Sequence, residues 1–247
     1  MNTLPLLYHT HHNRETNDHP FWLDWAEQQG SPILELGCGT GRVLLPLAQA
    51  GHAIVGVDHD SSMLAFLQKQ AENQQVQGLD LILADMSNYH LTQQFALILM
   101  PCNTYSTLRP RDQKSAAHNA RVHLKTNGIF IVSMPNPALL ATLPAEGKPE
   151  IETTFAHPLS GYPVQVMGQW KRADEAIRFF WHYDHLLPDG RVNRRTLSAR
   201  HYLQRYNDIL ASFTKAGLVV TATYGNYDQS VYKKESPYLI IAARKRE

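Results

Sequence analysis

The sequence predicts a doubly wound α/β fold: a mostly parallel seven-stranded sheet with an antiparallel last strand, plus a small antiparallel β insertion before the final helix and strand pair. Two observations support this prediction. Between Ile33 and Met134, five short apolar segments alternate with helical patterns, and such unbroken apolar runs are typical of parallel strands buried on both faces. Beyond residue 163, longer segments joined by tight turns are typical of antiparallel strands.

The first part of the chain supplies most elements of the main sheet. We expect strands over Pro32–Leu36, Ala53–Val57, Leu79–Ala84, Phe95–Met100 and Ile129–Met134, and helices over Gly41–Ala50, Ser61–Glu72 and Asp112–Lys125. The second of these helices carries an apolar stripe, and Asp60 or Ser61 can cap its start. Asn127-Gly128 is a usual stop signal after the third helix.

The later part predicts an irregular connection, a β excursion and a return to the main sheet. Residues 136–163 are rich in Pro, Gly and Ala, so we expect no regular element there. Strands follow over Val164–Ala173, Ala176–Leu187 and Val192–His201, then a helix over Leu203–Ala216 and strands over Leu218–Tyr224 and Tyr238–Ala243. The expected organisation is an N-terminal cover segment (1–20), a main domain (21–135 and 203–247) and an antiparallel insertion (136–202).

Composition and charge argue against several classes of function. The chain has 247 residues and a formal net charge of +1, so no global field attracts nucleic acid or an anionic membrane. Its two cysteines cannot form a disulfide framework, and no apolar run approaches the roughly 20 residues of a membrane span. The N-terminus has no signal-peptide pattern. We therefore expect a cytoplasmic monomer or homodimer with no nucleic-acid or membrane partner.

The segment Ile33-Leu-Glu-Leu-Gly-Cys-Gly-Thr-Gly41 combines a strand, a glycine-rich turn and the start of a helix. Glycines allow a sharp turn and let a ligand lie against the backbone, while the helix N-terminus offers free N–H donors. Asp58 follows at the end of the next predicted strand, where a carboxylate can accept both hydroxyls of a ribose. This pattern predicts a nucleoside site at one end of the sheet.

A dinucleotide site is the alternative for such a turn. Its usual spacing requires glycine at position 42, where this chain has Arg42, and the third glycine here stands at position 41. Glu35 would also oppose the charge of a pyrophosphate, whereas it tolerates a zwitterionic amino acid that carries a sulfonium group. The turn therefore favours a nucleoside with an amino-acid portion.

Four segments resemble motifs of the class I, Rossmann-like methyltransferases that use S-adenosylmethionine. They are residues 35–41, 57–64, 84–86 and 95–103, in that family's order and spacing. Similarity to bacterial small-molecule methyltransferases, including the sugar N,N-dimethyltransferases of antibiotic pathways, extends to Tyr8, to the segment that begins at Asp18 and to the ending near Tyr224. The resemblance is strong over about residues 20–134 and looser over the final strand pair.

The resemblance implies an enzyme that binds S-adenosyl-L-methionine, releases S-adenosyl-L-homocysteine and methylates an O or N atom of a small molecule by direct in-line displacement. In the family's pattern the glycines line the methionine portion, Asp58 holds the ribose, Asp85 holds the adenine and Met100 lies near the sulfonium. The expected cofactor-binding residues are Tyr8, Glu35, Gly37, Cys38, Gly39, Thr40, Gly41, Asp58, His59, Met63, Asp85, Met86 and Met100. Residues 1–20 and the insertion are expected to cover the active site or to form a dimer interface.

No motif singles out a catalytic residue. An amine acceptor needs no general base once it is deprotonated, whereas a hydroxyl acceptor benefits from one. The candidate bases are His9, His12, Tyr105, His182 and Tyr183. Cys102 stands just after the fourth predicted strand, where cytosine-C5 methyltransferases carry a nucleophilic thiolate, but no second motif of that class follows. We therefore interpret Cys102 as a loop residue.

Two further clusters invite other interpretations. Strand alternation places His182 and Asp184 on one face and His185 on the other, so we expect no metal site there, and none at His9–His12. Four arginines in the last predicted insertion strand and the turn before it form either a solvated surface or an anchor for an anionic acceptor group: Arg191, Arg194, Arg195 and Arg200.

Two other functions remain as alternatives. An RNA or protein methyltransferase would use the same cofactor, but the neutral charge and the lack of an appended binding domain argue against it. A non-catalytic nucleoside-binding module could keep the fold without the chemistry. The presence of Glu35, Asp58, Asp85 and all three glycines of the turn argues against that loss of activity.

Overall fold

The computed structural model describes residues 3–245, whose strands form two β-sheets. The strands are β1 (Ile33–Leu36), β2 (Ile54–Asp58), β3 (Leu79–Leu83), β4 (Phe95–Met100), β5 (Leu124–Pro135), β6 (Glu150–Ala156), β7 (Pro163–Ala173), β8 (Ala176–Leu186), β9 (Val192–Tyr202), β10 (Leu218–Tyr224) and β11 (Tyr238–Lys245). The helices are α1 (Leu4–His12), α2 (His19–Gln29), α3 (Leu44–Gln49), α4 (Ser61–Asn73), α5 (Thr104–Thr107), α6 (Pro110–His123), α7 (Pro137–Leu140) and α8 (Tyr206–Lys215). None of the helices in this part of the chain is long and apolar enough to span a membrane.

The main sheet has the strand order β10-β11-β5-β4-β1-β2-β3. Strands β1 to β5 pair in parallel, and β11 is antiparallel to both of its neighbours, β5 and β10. This confirms the predicted fold class. The chain leaves β1 toward β2 and β3 on one side and returns through β4 and β5 on the other, so the strand order reverses between β1 and β4. Ligands bind at the carboxyl ends of the strands at such a reversal.

The central strands are apolar throughout because they are buried on both faces. All four residues of β1 are buried. Leu34 joins a core cluster with Phe213 of α8, whereas its neighbour Ile33 joins a second cluster with Trp22 of α2 and Leu67 of α4. Helices therefore cover both sides of the sheet, and the ends of its strands are left for a binding site.

The second sheet is antiparallel, with the order β6-β7-β8-β9. Strand β6 lies in residues 136–163, so the prediction of no regular element there is wrong, as α7 also shows. Most of β6 is exposed, and its register shifts between Ile151 and Thr153, which interrupts the apolar alternation by which a strand is found. Pairing with β7, which is a tertiary contact, stabilises this edge strand.

Several predicted boundaries move by a few residues. The helix expected from Gly41 begins only at Leu44, after a turn. The helix expected from residue 112 begins at Pro110, a residue that suits the first helical position, and ends where Leu124 enters β5. The helix expected from residue 203 begins at Tyr206. The predicted cap of α4 is confirmed, because the Asp60 carboxylate accepts hydrogen bonds from the first turn.

The N-terminal segment, which the sequence leaves weakly patterned, contains α1 and the start of α2. Leu7 of α1 is buried in a small core cluster with Phe155, Val164, Val166 and Tyr183 of the second sheet. The face of the second sheet that carries this cluster is called the inner face below. Helix α1 is therefore packed against the insertion, and its role as a cover remains a proposal.

Buried histidines predict that the fold loses stability in acid. His201 on β9 is only 6% exposed, and burial lowers its pKa from 6.5 to about 4. Between these values the unfolded chain binds a proton that the folded protein does not, so the free energy of unfolding falls as the pH drops from about 7 toward 4. Thermal unfolding of wild type and His201→Asn at pH 7.5 and 5 should show a smaller acid loss in the variant.

His118→Asn is the matched control, because His118 is exposed on α6. It should lose as much melting temperature as wild type between the two pH values. Equal losses in all three proteins would show that His201 does not contribute to the acid sensitivity.

Candidate active site

The glycine-rich turn after β1 is held across the ends of two strands. The N–H groups of Gly37 and Cys38 both donate to the carbonyl of Val57, at 2.7 and 3.1 Å. The Gly41 N–H closes the turn on the Cys38 carbonyl at 2.8 Å. The turn therefore has a fixed shape at the point where the strand order reverses.

Asp58 connects this turn to the end of β2. One carboxylate oxygen accepts the Gly39 N–H at 2.8 Å, and the other accepts the Asp60 N–H at 2.9 Å. The His59 ring lies 3.5 Å from the carboxylate and is itself exposed. Each carboxylate oxygen keeps a second lone pair, so Asp58 can still accept the two hydroxyls of a ribose.

The three glycines of the turn have different roles. All have positive φ angles, but a Cβ at Gly37 would lie 2.6 Å from the Thr104 side chain, and one at Gly41 would lie 2.3 Å from Leu67. A Cβ at Gly39 would meet no atom within 4 Å. The structure thus uses Gly37 and Gly41 for close packing, and Gly39 alone presents an open backbone surface to a ligand.

Glu35 supplies a buried carboxyl group with an unused hydrogen-bonding atom. Its side chain is almost completely buried, its Oε2 atom has no partner, and burial raises its pKa well above the ordinary value. A buried carboxylate without a donor is costly. The amino group of the methionine portion of S-adenosylmethionine is a cationic donor that would satisfy it, so the residues present fit this cofactor.

Asp85 stands beside Asp58 at the same edge of the sheet. The backbone N–H of Ala84 donates to the Asp58 carbonyl at 3.0 Å, and Asp85 follows directly. Hydrogen bonds from Ser87, at 2.7 Å each, lower the pKa of the exposed Asp85 carboxyl and fix its direction. An ionised, exposed carboxylate here is compatible with the expected contact to the adenine amino group.

Three expected cofactor residues point elsewhere. Met100 is completely buried in the core cluster that contains Phe130, so its side chain presents no surface to a ligand, and its expected position near the sulfonium stays a prediction. The Cys38 thiol packs beneath the turn toward Gly56, which leaves only its backbone to contact a ligand. Met86 is also buried, and it lies against Gly37. Residues at the ends of strands have the same types whether their side chains are buried or face a ligand. The sequence therefore could not distinguish the two cases.

Helix α1 lies beside the turn, as the expected contact of Tyr8 requires. Burial raises the pKa of Tyr8, and the charges of Cys102, Arg42 and Asp58 also act on it, which places its hydroxyl among these residues. The Tyr8 ring packs 4.2 Å from that of His12. Two other expected residues lie nearby: Thr40 is buried in the turn, and Met63 is half-buried at the start of α4.

Arg42 is a site residue that the sequence analysis used only to argue against a dinucleotide. Its guanidinium forms an ion pair with Asp18 and donates to the carbonyls of His12 at 3.0 Å and Glu15 at 2.8 Å. It also donates to the Cys102 sulfur at 3.3 Å. Arg42 therefore joins the end of α1, the cofactor turn and the loop after β4. Its partners lie 24 or more residues away, so no local pattern reveals this role.

Tyr105 and His182 are poorly placed to act as bases. Tyr105 is completely buried in the core, and its hydroxyl bonds to Ser212 at 3.3 Å. His182 points to the outer face of the second sheet, where it bonds to Gln169 and Thr196 at 2.8 Å. The hydrogen bonds of both side chains lead away from the cofactor turn, so the structure does not favour either residue as a base.

The other candidate bases lie closer to the turn. Tyr183 is on the inner face and forms a 3.1 Å hydrogen bond with His11 of α1. Burial lowers the pKa of His9, which has a hydrogen bond with the backbone of Thr40. Burial also lowers the pKa of His12 to about 3, and its Nε2 atom has no partner. The structure therefore places His9 and His12 near the cofactor turn and Tyr183 against α1. Tyr105 and His182 lie apart from this group.

The polar residues of the second sheet mostly pair with one another. Arg194 forms a bidentate pair with Asp184 at 2.6 Å, and Arg191 pairs with Asp189. His185 stacks on His157 with ring centres 4.3 Å apart. These contacts favour the interpretation of a solvated surface at Arg191 and Arg194. The role of the remaining arginines as an anchor stays a prediction.

Asp58→Ala should weaken binding of S-adenosylhomocysteine by about 1–3 kcal/mol, because a charge-assisted contact to the ribose is lost. Isothermal titration calorimetry measures this directly. Asp80→Ala is the matched control, since Asp80 is an exposed acid on β3. Unchanged affinity in folded Asp58→Ala would remove Asp58 from the cofactor site.

Substitutions of two glycines should separate binding from packing. Gly39→Ala places a methyl group on the open surface, so it should abolish cofactor binding and lower stability by only about 1–2 kcal/mol through its positive φ. Gly41→Ala collides with Leu67 and should destabilise the fold more. Thermal unfolding and calorimetry on both variants test this. Wild-type affinity in Gly39→Ala would show that the ligand lies elsewhere.

Solved structures similar to this fold include methyltransferases. A S-adenosylmethionine-dependent methyltransferase from Clostridium acetobutylicum ATCC 824 has a TM-score of 0.81 at 16% identity, covering 100% of this chain and 99% of that one. The sugar N-methyltransferase KedS8 from Streptoalloteichus sp ATCC 53650 has a TM-score of 0.77 at 17% identity, covering 98% and 92%. At such identities the likeness shows the fold.

Sequence relatives are also methyltransferases. The family described as "Methyltransferase domain" matches residues 33–128. Cypemycin N-terminal methyltransferase of Streptomyces sp is 29% identical over 222 residues, 88% of this chain and 84% of that protein. The 23S rRNA (uracil(1939)-C(5))-methyltransferase RlmD of Haemophilus influenzae (strain ATCC 51907 / DSM 11121 / KW20 / Rd) is 32% identical over 125 residues, only 48% of this chain and 26% of that enzyme.

A full-length relationship decides the family. GWCH70_2453 of Geobacillus sp. (strain WCH70), a protein that carries a provisional methyltransferase name, is 32% identical over 224 residues, which are 90% of this chain and 87% of that protein. Its match runs through the insertion as well as the cofactor turn. The chain therefore belongs to the class I S-adenosylmethionine-dependent methyltransferases, and it is an enzyme rather than a non-catalytic nucleoside-binding module.

Proposed function

We propose that this enzyme methylates the nitrogen of a small-molecule amine. The observation that carries the proposal is that burial disfavours the charged forms of Tyr8, His12 and Tyr183, so none of these three groups is suited to act as a base near neutral pH. Methyl transfer to a hydroxyl benefits from such a base, whereas a deprotonated amine already has its lone pair free. The site is therefore better suited to nitrogen than to oxygen.

The pKa values of the nearby groups support this choice. Burial lowers the pKa of His12 to about 3, so it stays neutral and holds a proton weakly. Burial also raises the pKa values of Tyr8 and Tyr183. These groups hold their protons near pH 7 and are poor bases. The chain can thus orient an acceptor but has little capacity to deprotonate it.

The residues around the turn would hold the cofactor while the acceptor is positioned. Glu35 would pair with its amino group, Gly39 would lie against its methionine portion, and Asp58 and Asp85 would bind the ribose and adenine. When bound, S-adenosylmethionine supplies an electrophilic methyl group, which passes to the acceptor lone pair as the carbon–sulfur bond breaks and its electrons stay on sulfur. An amine acceptor then loses its extra proton to solvent.

Helix α1 and the inner face of the second sheet would form the acceptor pocket and its cover. Tyr8 and His12 of α1 lie next to Cys102 and Arg42, and the His12 ring is 6.0 Å from the ring of Trp181 on β8. Aromatic walls exclude water and so favour a productive approach of the acceptor. In this proposal residues 1–20 act as a cover, and the insertion completes the pocket.

The relatives add support of the same kind. Of two proteins that are similar to most of this chain, one is named an N-terminal methyltransferase and the other a sugar N-methyltransferase. The match to the RNA enzyme covers only 48% of this chain and 26% of that enzyme. We therefore favour a small-molecule amine over RNA or a protein side chain. Cytoplasmic location and a monomeric or homodimeric state remain predictions.

The test is a methyl-transfer screen with purified protein. Wild type is incubated with radiolabelled S-adenosylmethionine and matched panels of amines, phenols, carboxylates and RNA, and Asp58→Ala is the cofactor-binding control. Transfer to one or more amines, lost in Asp58→Ala, would support the proposal. Transfer confined to hydroxyls or RNA, with normal cofactor affinity, would overturn it.

Cys102→Ser should leave amine methylation within about threefold of wild type, because the acceptor attacks the methyl group directly and the thiol is protonated. The variant keeps a small polar side chain near Arg42. Steady-state kinetics and cofactor titration measure the effect. Complete loss of turnover with retained cofactor affinity would instead indicate a covalent mechanism and a pyrimidine acceptor.

A further inference from the structure

We infer that Asn103 is the residue that positions the acceptor amine: its side-chain oxygen accepts a hydrogen bond from an N–H of a primary or secondary amine and so directs the nitrogen lone pair to the methyl group. This inference rests on the proposed nitrogen methylation. It assigns a binding role to a residue that the sequence motifs leave without one.

The backbone at Asn103 is unusual for its residue type. Cys102 and Asn103 have φ angles of 56° and 64°, so two successive non-glycine residues adopt the left-handed conformation at the end of β4. This conformation costs about 1–2 kcal/mol for most residues, and asparagine tolerates it better than most. Such strain is retained where the surrounding structure holds a functional side chain in place.

Contacts on both sides hold the loop in this shape. The Ser106 hydroxyl donates to the Asn103 carbonyl at 2.8 Å, and the same hydroxyl bonds to Nδ1 of buried His201 at 2.8 Å. On the other side the Cys102 sulfur accepts a hydrogen bond from Arg42. The Asn103 backbone is therefore fixed by β9 and by the cofactor turn. Its side chain takes no part in these contacts.

The Asn103 side chain has an unused acceptor atom. Its Oδ1 atom is buried and has no hydrogen-bond partner among the described residues. A buried carbonyl oxygen without a donor costs roughly 1–3 kcal/mol, and native structures contain few of them. A donor from a bound molecule would remove this cost, and an amine N–H is such a donor.

A second unsatisfied atom marks the same region. His12 Nε2 is also buried without a partner. Arg42 donates to the His12 carbonyl at 3.0 Å and to Cys102, which directly precedes Asn103. The Arg42 guanidinium thus contacts His12 itself and Cys102, the neighbour of Asn103 in the chain, and all of these residues lie beside the cofactor turn. The proposed function places the acceptor in this region.

The proposed contact leaves the chemistry balanced. The amine donates one N–H to Asn103 and keeps its lone pair for the new carbon–nitrogen bond. Asn103 takes up no proton, because a carboxamide is a very weak base, and the proton of the product ammonium passes to solvent. The contribution of Asn103 is orientation, for which a misplacement of about 1 Å can cost about 100-fold in rate.

Two variants separate this role from backbone strain. Asn103→Gly adopts a positive φ freely but has no acceptor oxygen. Asn103→Asp keeps an oxygen and tolerates the left-handed conformation, but its charge favours the protonated amine. Both are compared with wild type on the amine that gives the highest turnover in the screen. Thermal unfolding and calorimetry with S-adenosylhomocysteine are measured in parallel.

We expect Asn103→Gly to keep its melting temperature and cofactor affinity but to lose about 10- to 100-fold in kcat. Asn103→Asp should retain activity at high pH, with the rise of kcat moved upward by about one pH unit, because kcat reports the pKa of the bound amine. Wild-type kcat in Asn103→Gly would overturn the inference, and so would an unshifted profile in Asn103→Asp. If wild type methylates no amine, the proposed function fails, and the role of Asn103 fails with it.

Discussion

The ion pair between Asp18 and Arg42 holds together the parts from which the active site is built. Asp18, which directly precedes α2, is almost completely buried, and its carboxylate also accepts a hydrogen bond from the Trp22 indole N–H at 2.9 Å. Arg42 follows the cofactor turn and reaches α1 and the loop after β4. Removing one partner of a buried pair leaves an uncompensated charge, which is more costly than the pair is stabilising. The N-terminal helices therefore stay beside the cofactor turn.

The charges of the site are arranged for a cationic ligand. Glu35, Asp58 and Asp18 lie near one guanidinium, that of Arg42, and the charges of Asp58 and Asp18 act with burial to raise the pKa of Glu35. A ligand that carries a sulfonium and an amino group would relieve this excess of negative charge. The same surroundings disfavour an anionic pyrophosphate. Electrostatics thus explain why a glycine turn of this kind accepts S-adenosylmethionine.

The insertion and the N-terminal segment are stabilised in a different way from the main sheet. The main sheet is stabilised by apolar strands that helices cover on both faces, whereas the second sheet buries its inner face against α1 through Leu7, Val166 and Tyr183. Neither α1 nor the insertion would bury its apolar surface alone. Their mutual packing places Tyr8 beside the cofactor turn and Trp181 against His12 of α1, so under the proposed function acceptor binding would depend on the docking of α1.

The sequence by itself determined the main sheet and the cofactor class. The apolar strands, the turn at Gly37–Gly41 and the carboxylates at positions 58 and 85 are local signals, because strand period, turn conformation and strand-end charge depend on neighbouring residues. These signals also identified the resemblance from which the cofactor follows. Three of the strands in the insertion were found in the same way.

Only the tertiary structure revealed the features that depend on contacts between residues far apart in the sequence. Strand β6 is exposed and interrupted, so only pairing with β7 reveals it. Met100 and Asn103 stand three residues apart at one strand end, yet one side chain enters the core and the other has an unsatisfied oxygen. Arg42 finds its partners 24 or more residues away. The packing of the folded chain sets the direction of each side chain and the pairing of residues far apart in the sequence. A linear sequence does not reveal this packing.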